Sequence, residues 1–438
     1  MRKTDQITFN LYDGIFEQIC SLDSLWKSYK DVKKNRGAPG IDGISIENYG
    51  HNLLENLKVL QQEVETWEYI PSPVKRAEIP KPNGGIRKLG IPTVKDRVLH
   101  ASIKNALEPI FEPLFSDNSY GFRPGRNQEM AVKAARNIVN KGKEYVLDMD
   151  LSKFFDRINH DRLIYRLGLI VDDKRVLRLI GNILRSGILH EGVLETQEVG
   201  SVQGSPLSPL LSNVVLDELD KEPERRGLEF CRFADDANIF FGSQKAAERV
   251  RVSITKFIEN KLKLVVNQEK TQIAKSKFVK FLGMTVLGMS ICISNKSMAK
   301  AMEKADELTP RGSHLPIEKS IEQINTWYGG WSSYFRMTEY PYQLKVIEAH
   351  IRRRLRARIV KQKKSRRNLY NFFAKQGVPK ALAKCTVYSN SGTWRLSLNR
   401  AVHKAFSNDW FINRVGQKVM SDKRLTHWEN IEKKPSLL

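Results

Sequence analysis

Residues 228–242 read LEFCRFADDANIFFG and set two adjacent aspartates between two runs of aromatic and β-branched residues. Period-two patterning predicts one strand over 230–233 and a second over 238–241. Asp235 and Asp236 then fall at the tip of a hairpin. Two adjacent carboxylates in an apolar setting cost stability unless a cation or a shared proton compensates their repulsion and lost hydration. An ordinary surface turn is the alternative, because Asp tolerates turn backbone angles and bonds its own main chain.

A third acid follows the predicted strand at 145–149, in the stretch EYVLDMDLSKFFDRINHDRL. Beyond this strand, apolar residues recur at helical spacing at Phe154, Ile158 and Leu163. Asp150 therefore stands at the C-terminal end of a strand, where α/β folds place their chemistry. Together with the Asp235–Asp236 pair it would give three carboxylates for two divalent ions about 3.5–4 Å apart, an arrangement suited to phosphoryl transfer. Mg²⁺ is the expected ion, being hard and carboxylate-bound.

The composition predicts a folded protein with a polyanionic partner. The 438 residues favour two or three domains, and 41% are hydrophobic. The excess of 73 Lys+Arg over 49 Asp+Glu gives a net charge of +24, so nucleic acid is the first candidate partner.

The cysteines and the hydropathy pattern favour a cytoplasmic protein. Four scattered cysteines show no spacing suited to zinc: Cys20, Cys231, Cys292 and Cys385. The sequence has no apolar run long enough for a membrane span and no signal peptide pattern. We therefore expect reduced thiols, no membrane association and no structural zinc.

The basic charge is concentrated in residues 351–400, which contain 15 Lys+Arg and no acid. An apolar stripe at helical spacing runs through Leu344, Ile347, Ile351, Leu355 and Ile359. The other helical faces carry Arg352, Arg353, Arg354, Arg356 and Arg358. This pattern predicts a basic amphipathic helix whose arginines bind RNA. A solvated face or a membrane-surface helix are the alternatives, and the aliphatic stripe without Trp or Phe disfavours the membrane.

Several blocks of the chain resemble the reverse transcriptases of bacterial group II introns, which are also splicing maturases. DMDLSKFFD and CRFADDANIFF resemble motifs A and C of that family. Further blocks follow in the family's order: PVKRAEIPKPNGGIRKLGIPTVKDRVLH, SYGFRPGRN, QGSPLSPLLSN, LKLVVNQEKTQI and KFLG. KNRGAPGIDG resembles the N-terminal extension, and INTWYGGWSSYF and SGTWRLSLNRAV resemble the thumb or maturase region.

The resemblance implies an α+β right-hand polymerase with a helical, basic maturase domain. The boundaries it implies are an N-terminal extension over 1–70, fingers and palm over 71–290, thumb and maturase over 291–415, and a tail over 416–438. It implies RNA-directed DNA synthesis with two Mg²⁺ ions, on intron RNA and a DNA primer or target, using dNTPs. Many members of this family carry a Cys-rich endonuclease domain at the C-terminus, and we do not expect that domain in this protein. The alternatives are a reverse transcriptase of a defence, CRISPR-associated or diversity-generating system, or a splicing cofactor that does not polymerise.

The same resemblance assigns roles to individual residues. Metal binding would fall to Asp150, Asp235, Asp236 and the backbone carbonyl of Leu151. The dNTP would contact Lys81, Arg87, Phe155 and Gln203, and the primer grip would be Phe281, Leu282 and Gly283. A ring at Phe155 would leave no room for a 2′-hydroxyl, which separates this assignment from an RNA-dependent RNA polymerase. Lys270 would protonate the leaving pyrophosphate, or it is simply a surface lysine.

Overall fold

The computed structural model describes residues 14–80, 84, 86–190, 193–195, 199–200 and 204–421. Two residues with predicted roles, Lys81 and Gln203, lie outside these ranges, as does the tail after residue 421. The chain divides into two compact units, residues 1–275 and residues 276–438. No helix in the described part of the chain is both long enough and apolar enough to cross a membrane.

The first unit combines helices with two four-stranded sheets. Its helices are α1 (Ile15–Cys20), α2 (Leu22–Lys34), α3 (Ile46–His51), α4 (Leu53–Glu65), α5 (Val94–Phe111), α6 (Gln128–Asn140), α7 (His160–Gly168), α8 (Lys174–Leu184), α9 (Ser208–Arg225) and α10 (Gln244–Phe257). Its strands are β1 (Val74–Pro80), β2 (Ile86–Ile91), β3 (Tyr145–Met149), β4 (Ile188–His190), β5 (Val193–Glu195), β6 (Glu229–Phe233), β7 (Asp236–Phe241) and β8 (Gln272–Lys275). One sheet has the order β2-β1-β4-β5 and the other the order β6-β7-β3-β8.

The second of these sheets carries the residues singled out by the sequence. The predicted strands over 145–149, 230–233 and 238–241 are confirmed as β3, β6 and β7, although β7 begins two residues earlier, at Asp236. All the pairings in this sheet are antiparallel. Helices α6, α9 and α10 pack against this sheet, as expected for an α+β domain.

The segment after Asp150 is not the single helix that its apolar spacing predicts. A 3₁₀ turn spans Phe154–Arg157, and α7 begins only at His160, after Asn159 accepts a capping hydrogen bond from the Arg162 amide at 2.8 Å. The predicted apolar side is nevertheless buried, at Phe154, Ile158 and Leu163. The spacing therefore predicted burial correctly and continuity wrongly, because an asparagine cap restarts the helix.

The second unit is a helical domain preceded by a small hairpin. The hairpin consists of β9 (Met284–Leu287) and β10 (Ser290–Ile293). The helices are α11 (Asn295–Leu308), α12 (Ile317–Tyr334), α13 (Tyr342–Gln362), α14 (Arg366–Lys375), α15 (Lys380–Val387), α16 (Thr393–Leu396) and α17 (Arg400–Ala405). The long helix α13 is the predicted basic helix. Its whole apolar stripe is buried, and Ile347, Ile351, Leu355 and Ile359 belong to the core of this unit.

Candidate active site

The β6–β7 hairpin presents the two adjacent aspartates to a third acid. Met149 of β3 pairs with Ala237 of β7, so the next position in this register sets Asp150 opposite Asp236. Asp235 precedes β7 and is half-buried, whereas Asp236 is exposed. The three aspartates are thus neighbours in space, although 85 residues separate Asp150 from Asp235 along the chain.

The negative charge of Asp235 is only partly compensated by its surroundings. Burial raises the pKa of the Asp235 carboxyl, and the charge of Asp150 raises it further, whereas Arg87 and Arg232 lower it without reversing the shift. A nearby divalent cation would favour the ionised form. The oxygen donors of the three aspartates are also the hard ligands that such a cation prefers. The donor chemistry of the three aspartates therefore suits a divalent metal ion.

Asp150 has a cationic neighbour within the protein. Its Oδ2 lies 3.5 Å from the Nζ of Lys270, and its amide donates to Thr271 Oγ1 at 3.3 Å. Across the described ranges, no group of three or more His, Cys, Asp or Glu side chains is placed to hold a metal ion jointly. Lys270 is two-thirds exposed, so its position suits both the predicted proton donor and an ordinary surface lysine.

The backbone carbonyl of Leu151 points away from the segment around Val266, with which Leu151 pairs. Leu151 forms an antiparallel β-bridge with Val266. In this bridge the Ser152 amide donates to the Val265 carbonyl, and the Asn267 amide donates to the Asp150 carbonyl, both at 2.8 Å. Because backbone groups alternate in direction along an extended chain, the Leu151 carbonyl points to the opposite side from this bridge. This orientation is compatible with the ligand role predicted for that carbonyl.

A cavity of about 520 Å³ opens beside Asp235. It is large enough for a nucleotide, since ligand sites commonly measure about 300–1,000 Å³. Its wall includes two of the residues predicted to contact the dNTP, Arg87 and Phe155. The remaining lining residues are Val32, Asn35, Gly37, Leu89, Arg97, Phe122, Gly204, Ser205, Pro206, Ser208 and Pro209.

The two adjacent phenylalanines divide between core and cavity. Phe154 is buried, whereas Phe155 is half-exposed and lines the cavity, with the two rings edge to face at a centroid distance of 5.2 Å. Lys153, just before them, adopts a left-handed backbone with φ of 48°. This local turn directs consecutive aromatic side chains into different environments, which the sequence pattern alone did not resolve.

Gly204 and Ser205 line the cavity, and Gly204 lies so close to the backbone of Gly90 that only glycine fits there. Gly204 has φ of +133°, and a Cβ there would lie 2.3 Å from the carbonyl oxygen of Gly90. The next residue, Ser205, shares a 2.9 Å hydrogen bond with Nδ1 of the buried His100. Burial lowers the pKa of His100 to about 4, so the ring is neutral at pH 7. The loop is therefore fixed on two sides.

Arg97 and Gly37 are among the cavity residues to which the sequence gave no role. Arg97 of α5 is buried, donates from Nη2 to the Ala38 carbonyl at 2.9 Å, and has an Nε without a partner in the described structure. A Cβ on Gly37 would lie 2.2 Å from Arg97 Nη1. The available signal was the glycine within KNRGAPG, since glycine is used where another group must approach the backbone closely.

The hairpin tip contains backbone strain that a buried arginine offsets. Ala234 has φ of 55°, a left-handed conformation that costs roughly 1–2 kcal/mol for a residue with a Cβ. Arg232 donates from Nη1 to the Ala234 carbonyl at 2.9 Å. A hydrogen bond involving a charged group contributes about 1.5–3 kcal/mol, which is enough to hold Ala234 in this conformation.

In the second unit, the predicted primer grip is a tight turn. Phe281 and Met284 exchange backbone hydrogen bonds of 2.9 Å, and Leu282 and Gly283 between them have φ of 52° and 81°. A Cβ on Gly283 would lie 2.9 Å from the ring of Phe335. The turn is therefore well defined within its own unit, while its role as a primer grip stays a prediction.

The prediction of an exposed arginine face on α13 is wrong for three of the five arginines. Arg352, Arg356 and Arg358 are only 8%, 4% and 0% exposed. Arg356 donates to the Phe406 carbonyl at 2.8 Å, and Arg358 donates to Ser320 Oγ at 2.8 Å and to the Leu315 carbonyl. The guanidiniums of Arg356 and Arg358 therefore satisfy main-chain carbonyls between packed helices and have no exposed surface from which to bind phosphate.

The other two arginines of this helix are half-buried and also have protein partners. Arg353 stacks on the ring of Trp394, with its guanidinium carbon 3.9 Å from the ring centroid. Arg354 donates to Thr309 Oγ1 at 2.7 Å and pairs with Asp306 at 3.1 Å. The phosphate-binding role predicted for these two residues is untested, but the helix as a whole is a packing element.

An antiparallel sheet with carboxylates on a hairpin and at a neighbouring strand end, next to a nucleotide-sized cavity, defines the palm of a right-hand polymerase. Comparison with known proteins agrees with this class. Residues 79–286 match the model of the reverse transcriptase (RNA-dependent DNA polymerase) family, and residues 298–376 match the maturase-specific domain of group II introns.

Three of the similar proteins show the extent of the relationship. Protein YkfC of Escherichia coli (strain K12) is 30% identical over 278 residues, which cover 55% of this chain and 73% of YkfC. The group II intron-encoded protein LtrA of Lactococcus lactis subsp. cremoris is 27% identical over 383 residues, 72% of this chain and 63% of LtrA. A putative COX1/OXI3 intron 1 protein of Saccharomyces cerevisiae is 25% identical over 63% of this chain and 40% of that protein.

This chain belongs to the group II intron branch of the reverse transcriptase family and carries its maturase-specific domain. It spans less than two thirds of the length of LtrA and of the yeast intron protein.

Proposed function

We propose that the chain copies RNA into DNA by nucleotidyl transfer at the β6–β7 hairpin, with two Mg²⁺ ions as cofactors. The observation that carries the proposal is the shared position of Asp235, Arg87 and Phe155 around one cavity of nucleotide size. A half-buried carboxylate with a raised pKa, a cation and an aromatic wall are the groups needed to hold metal, phosphate and sugar respectively.

The metal ligands in this proposal are Asp150, Asp235 and Asp236, with the Leu151 carbonyl assisting. When bound, the ions would activate the primer 3′-hydroxyl and neutralise the triphosphate and its pyrophosphate leaving group. Divalent metal is the cofactor type of the family, and Mg²⁺ is favoured by the all-oxygen donor set.

The remaining side chains bind and orient the nucleotide. Arg87 holds triphosphate oxygens through its forked donors, and Lys81, outside the described residues, would assist from the same β1–β2 hairpin. Phe155 excludes a 2′-hydroxyl from the sugar site. Gln203, also outside the described ranges, precedes the fixed loop at Gly204 and would contact the base pair. Lys270, whose Nζ lies 3.5 Å from Asp150, would donate a proton to the leaving pyrophosphate.

We further propose that the chain binds a structured RNA, its own intron, and supports its splicing in the cytoplasm. The maturase-specific match over 298–376 and the relationship to LtrA support this role. The cysteines are all unpaired, as is usual in a reducing compartment. In domain terms, fingers and palm would extend over 71–290 after an N-terminal extension, and the thumb and maturase over 291–415.

The test of the polymerase is primer extension on an RNA template with Mg²⁺ and dNTPs. Asp235→Asn should reduce the rate at least about a thousandfold, because the metal contribution amounts to several kcal/mol of transition-state stabilisation. Asp161→Asn is the matched control, since its side chain is 90% exposed on α7. Equal rates for wild type and Asp235→Asn would refute the site.

The sugar specificity has its own test. Phe155→Val should allow rNTP incorporation by removing the ring, while Phe155→Tyr keeps the ring and should retain dNTP preference. An unchanged ratio of rNTP to dNTP incorporation in Phe155→Val would show that another residue excludes the ribose.

A further inference from the structure

Arg232 lies three residues before Asp235 and is completely buried. A guanidinium has five N–H donors, and each donor of Arg232 has an acceptor. Nε and Nη2 bind the two carboxylate oxygens of Asp220, each at 2.6 Å. The other acceptors are Asn213 Oδ1 at 3.1 Å, the Ala234 carbonyl at 2.9 Å and Ser119 Oγ at 2.7 Å.

These acceptors come from three separate parts of the first unit. Asn213 and Asp220 lie on one face of α9, seven residues apart, so the helix offers both to the same guanidinium. Ser119 lies in the loop before α6, and its backbone forms an isolated parallel β-bridge with Arg232 of β6. Ala234 is at the tip of the hairpin itself. One side chain thus ties the tip to a helix and to a neighbouring loop.

The same loop holds the tip from a second direction. Gly121 lies so close to the hairpin that a Cβ there would be 2.2 Å from the Ala234 amide nitrogen. Its carbonyl accepts from Asn213 Nδ2 at 3.0 Å, so the asparagine joins Gly121 and Arg232 in one network. Ala234 is enclosed by the arginine and this glycine, and Asp235 follows directly.

We propose that Arg232 is a positioning residue that fixes the backbone of Ala234 and thereby the place of the Asp235 carboxylate relative to Asp150. The inference rests on the proposed metal-dependent polymerase function. Its direct consequence is that metal affinity, and with it the rate of nucleotidyl transfer, depends on the full set of donors of Arg232 and not on its charge alone.

Arg232→Lys separates the charge of this residue from its set of donors. The lysine ammonium keeps the charge but has no planar fork to reach Asp220, Ser119 and Ala234 together. The matched control is Arg226→Lys. Arg226 follows α9, and its guanidinium bonds Glu222 on that helix and Ser253 on α10, away from the hairpin.

The experiment measures Mn²⁺ binding to the full chain by electron paramagnetic resonance, beside primer extension and the thermal unfolding midpoint. We expect Arg232→Lys to weaken Mn²⁺ binding about tenfold and to lower kcat at saturating metal, with little change in KM for dNTP. Arg226→Lys should bind Mn²⁺ like wild type. Asp235→Ala removes the carboxylate itself, so its Mn²⁺ affinity gives the loss expected when this ligand is absent.

A double variant tests whether Arg232 affects metal binding only through the stability of the fold. Replacing both partners, Arg232→Met with Asp220→Leu, should recover stability relative to Arg232→Met alone, because no buried charge is left unpaired. We expect Mn²⁺ binding to stay weak in the double variant. Recovery of Mn²⁺ affinity together with the unfolding midpoint would overturn the proposal, as would wild-type affinity in Arg232→Lys.

The outcomes separate this inference from the proposed function. If wild type binds Mn²⁺ through Asp235 but extends no primer, the polymerase proposal fails and the positioning role stands. If wild type extends primers and Arg232→Lys matches it in both affinity and kcat, the positioning role fails and the polymerase stands.

Discussion

Two regions of the molecule bury arginine in opposite ways. In the first unit, Arg232 pairs with a buried carboxylate, Asp220, and the two side chains are each 1% exposed. In the second unit, Arg358 is equally buried, but its partners are the neutral Ser320 hydroxyl and the Leu315 carbonyl. The first arrangement compensates a charge and holds the tip of the β6–β7 hairpin, whereas the second joins α13 to the chain around α12. Buried arginine therefore does not by itself indicate a ligand site.

The largest effect that tests this comparison is expected from Arg232→Ala. Removing one partner leaves Asp220 as an unpaired buried charge, which costs about 3–5 kcal/mol in the free energy of unfolding. Urea denaturation with hydrogen–deuterium exchange would report this loss in the first unit. Recovery in an Arg232→Met, Asp220→Leu protein would confirm that the unpaired charge is the cause.

A smaller loss in the free energy of unfolding is expected from Arg358→Ala. Its partners are neutral, so the change leaves unsatisfied polar groups and no buried charge, at a cost of about 1–3 kcal/mol. The same exchange measurement should show increased opening of α13 in the second unit. A loss as large as that of Arg232→Ala would break the distinction between the two arginines.

The proposed RNA binding offers a test that separates buried from exposed arginines in the second unit. Arg367, exposed on α14, is available to phosphate, so Arg367→Met should reduce the slope of log affinity against log salt by about one. Arg358→Met should leave the slope unchanged, because its guanidinium is internal. Gel-shift titrations with the intron RNA over a range of salt would measure both, and a reduced slope in Arg358→Met would contradict the packing role.

The smallest expected effect is a gain in stability from Asp235→Asn. Because burial raises the pKa of Asp235 in the folded state, its ionised form is disfavoured there, and this destabilisation is complete above the folded pKa. The asparagine variant should therefore unfold at a slightly higher temperature at pH 7. The gain should disappear as the pH falls through the folded pKa to below the ordinary value for aspartate. A gain that does not change with pH would point to packing instead of charge.

Much of the first unit was predictable because its signals are local. Alternating residues gave β3, β6 and β7, and the strand ends gave the positions of Asp150 and Asp235. The second unit was predictable in its pattern but not in its chemistry. The apolar stripe of α13 correctly indicated a buried face, whereas counting charges on the other faces suggested exposure that Arg356 and Arg358 do not have.

The cavity was only partly predictable. Arg87 and Phe155 were expected from their motifs, but Arg97 and the loop containing Gly37 join them through folding of the N-terminal segment onto α5. The role of His100 in holding Ser205 likewise depends on residues 105 positions apart. Contacts of this range leave little trace in the spacing of neighbouring residues.

The sequence by itself determined the strands, the paired acids at the hairpin, the basic charge and the order of the family's motifs, because each depends on neighbouring residues or on composition. Only the tertiary structure decided which arginines are internal and what each one binds. A guanidinium can be buried only where acceptors from other segments converge on its donors, and that convergence exists once the helices and strands have packed.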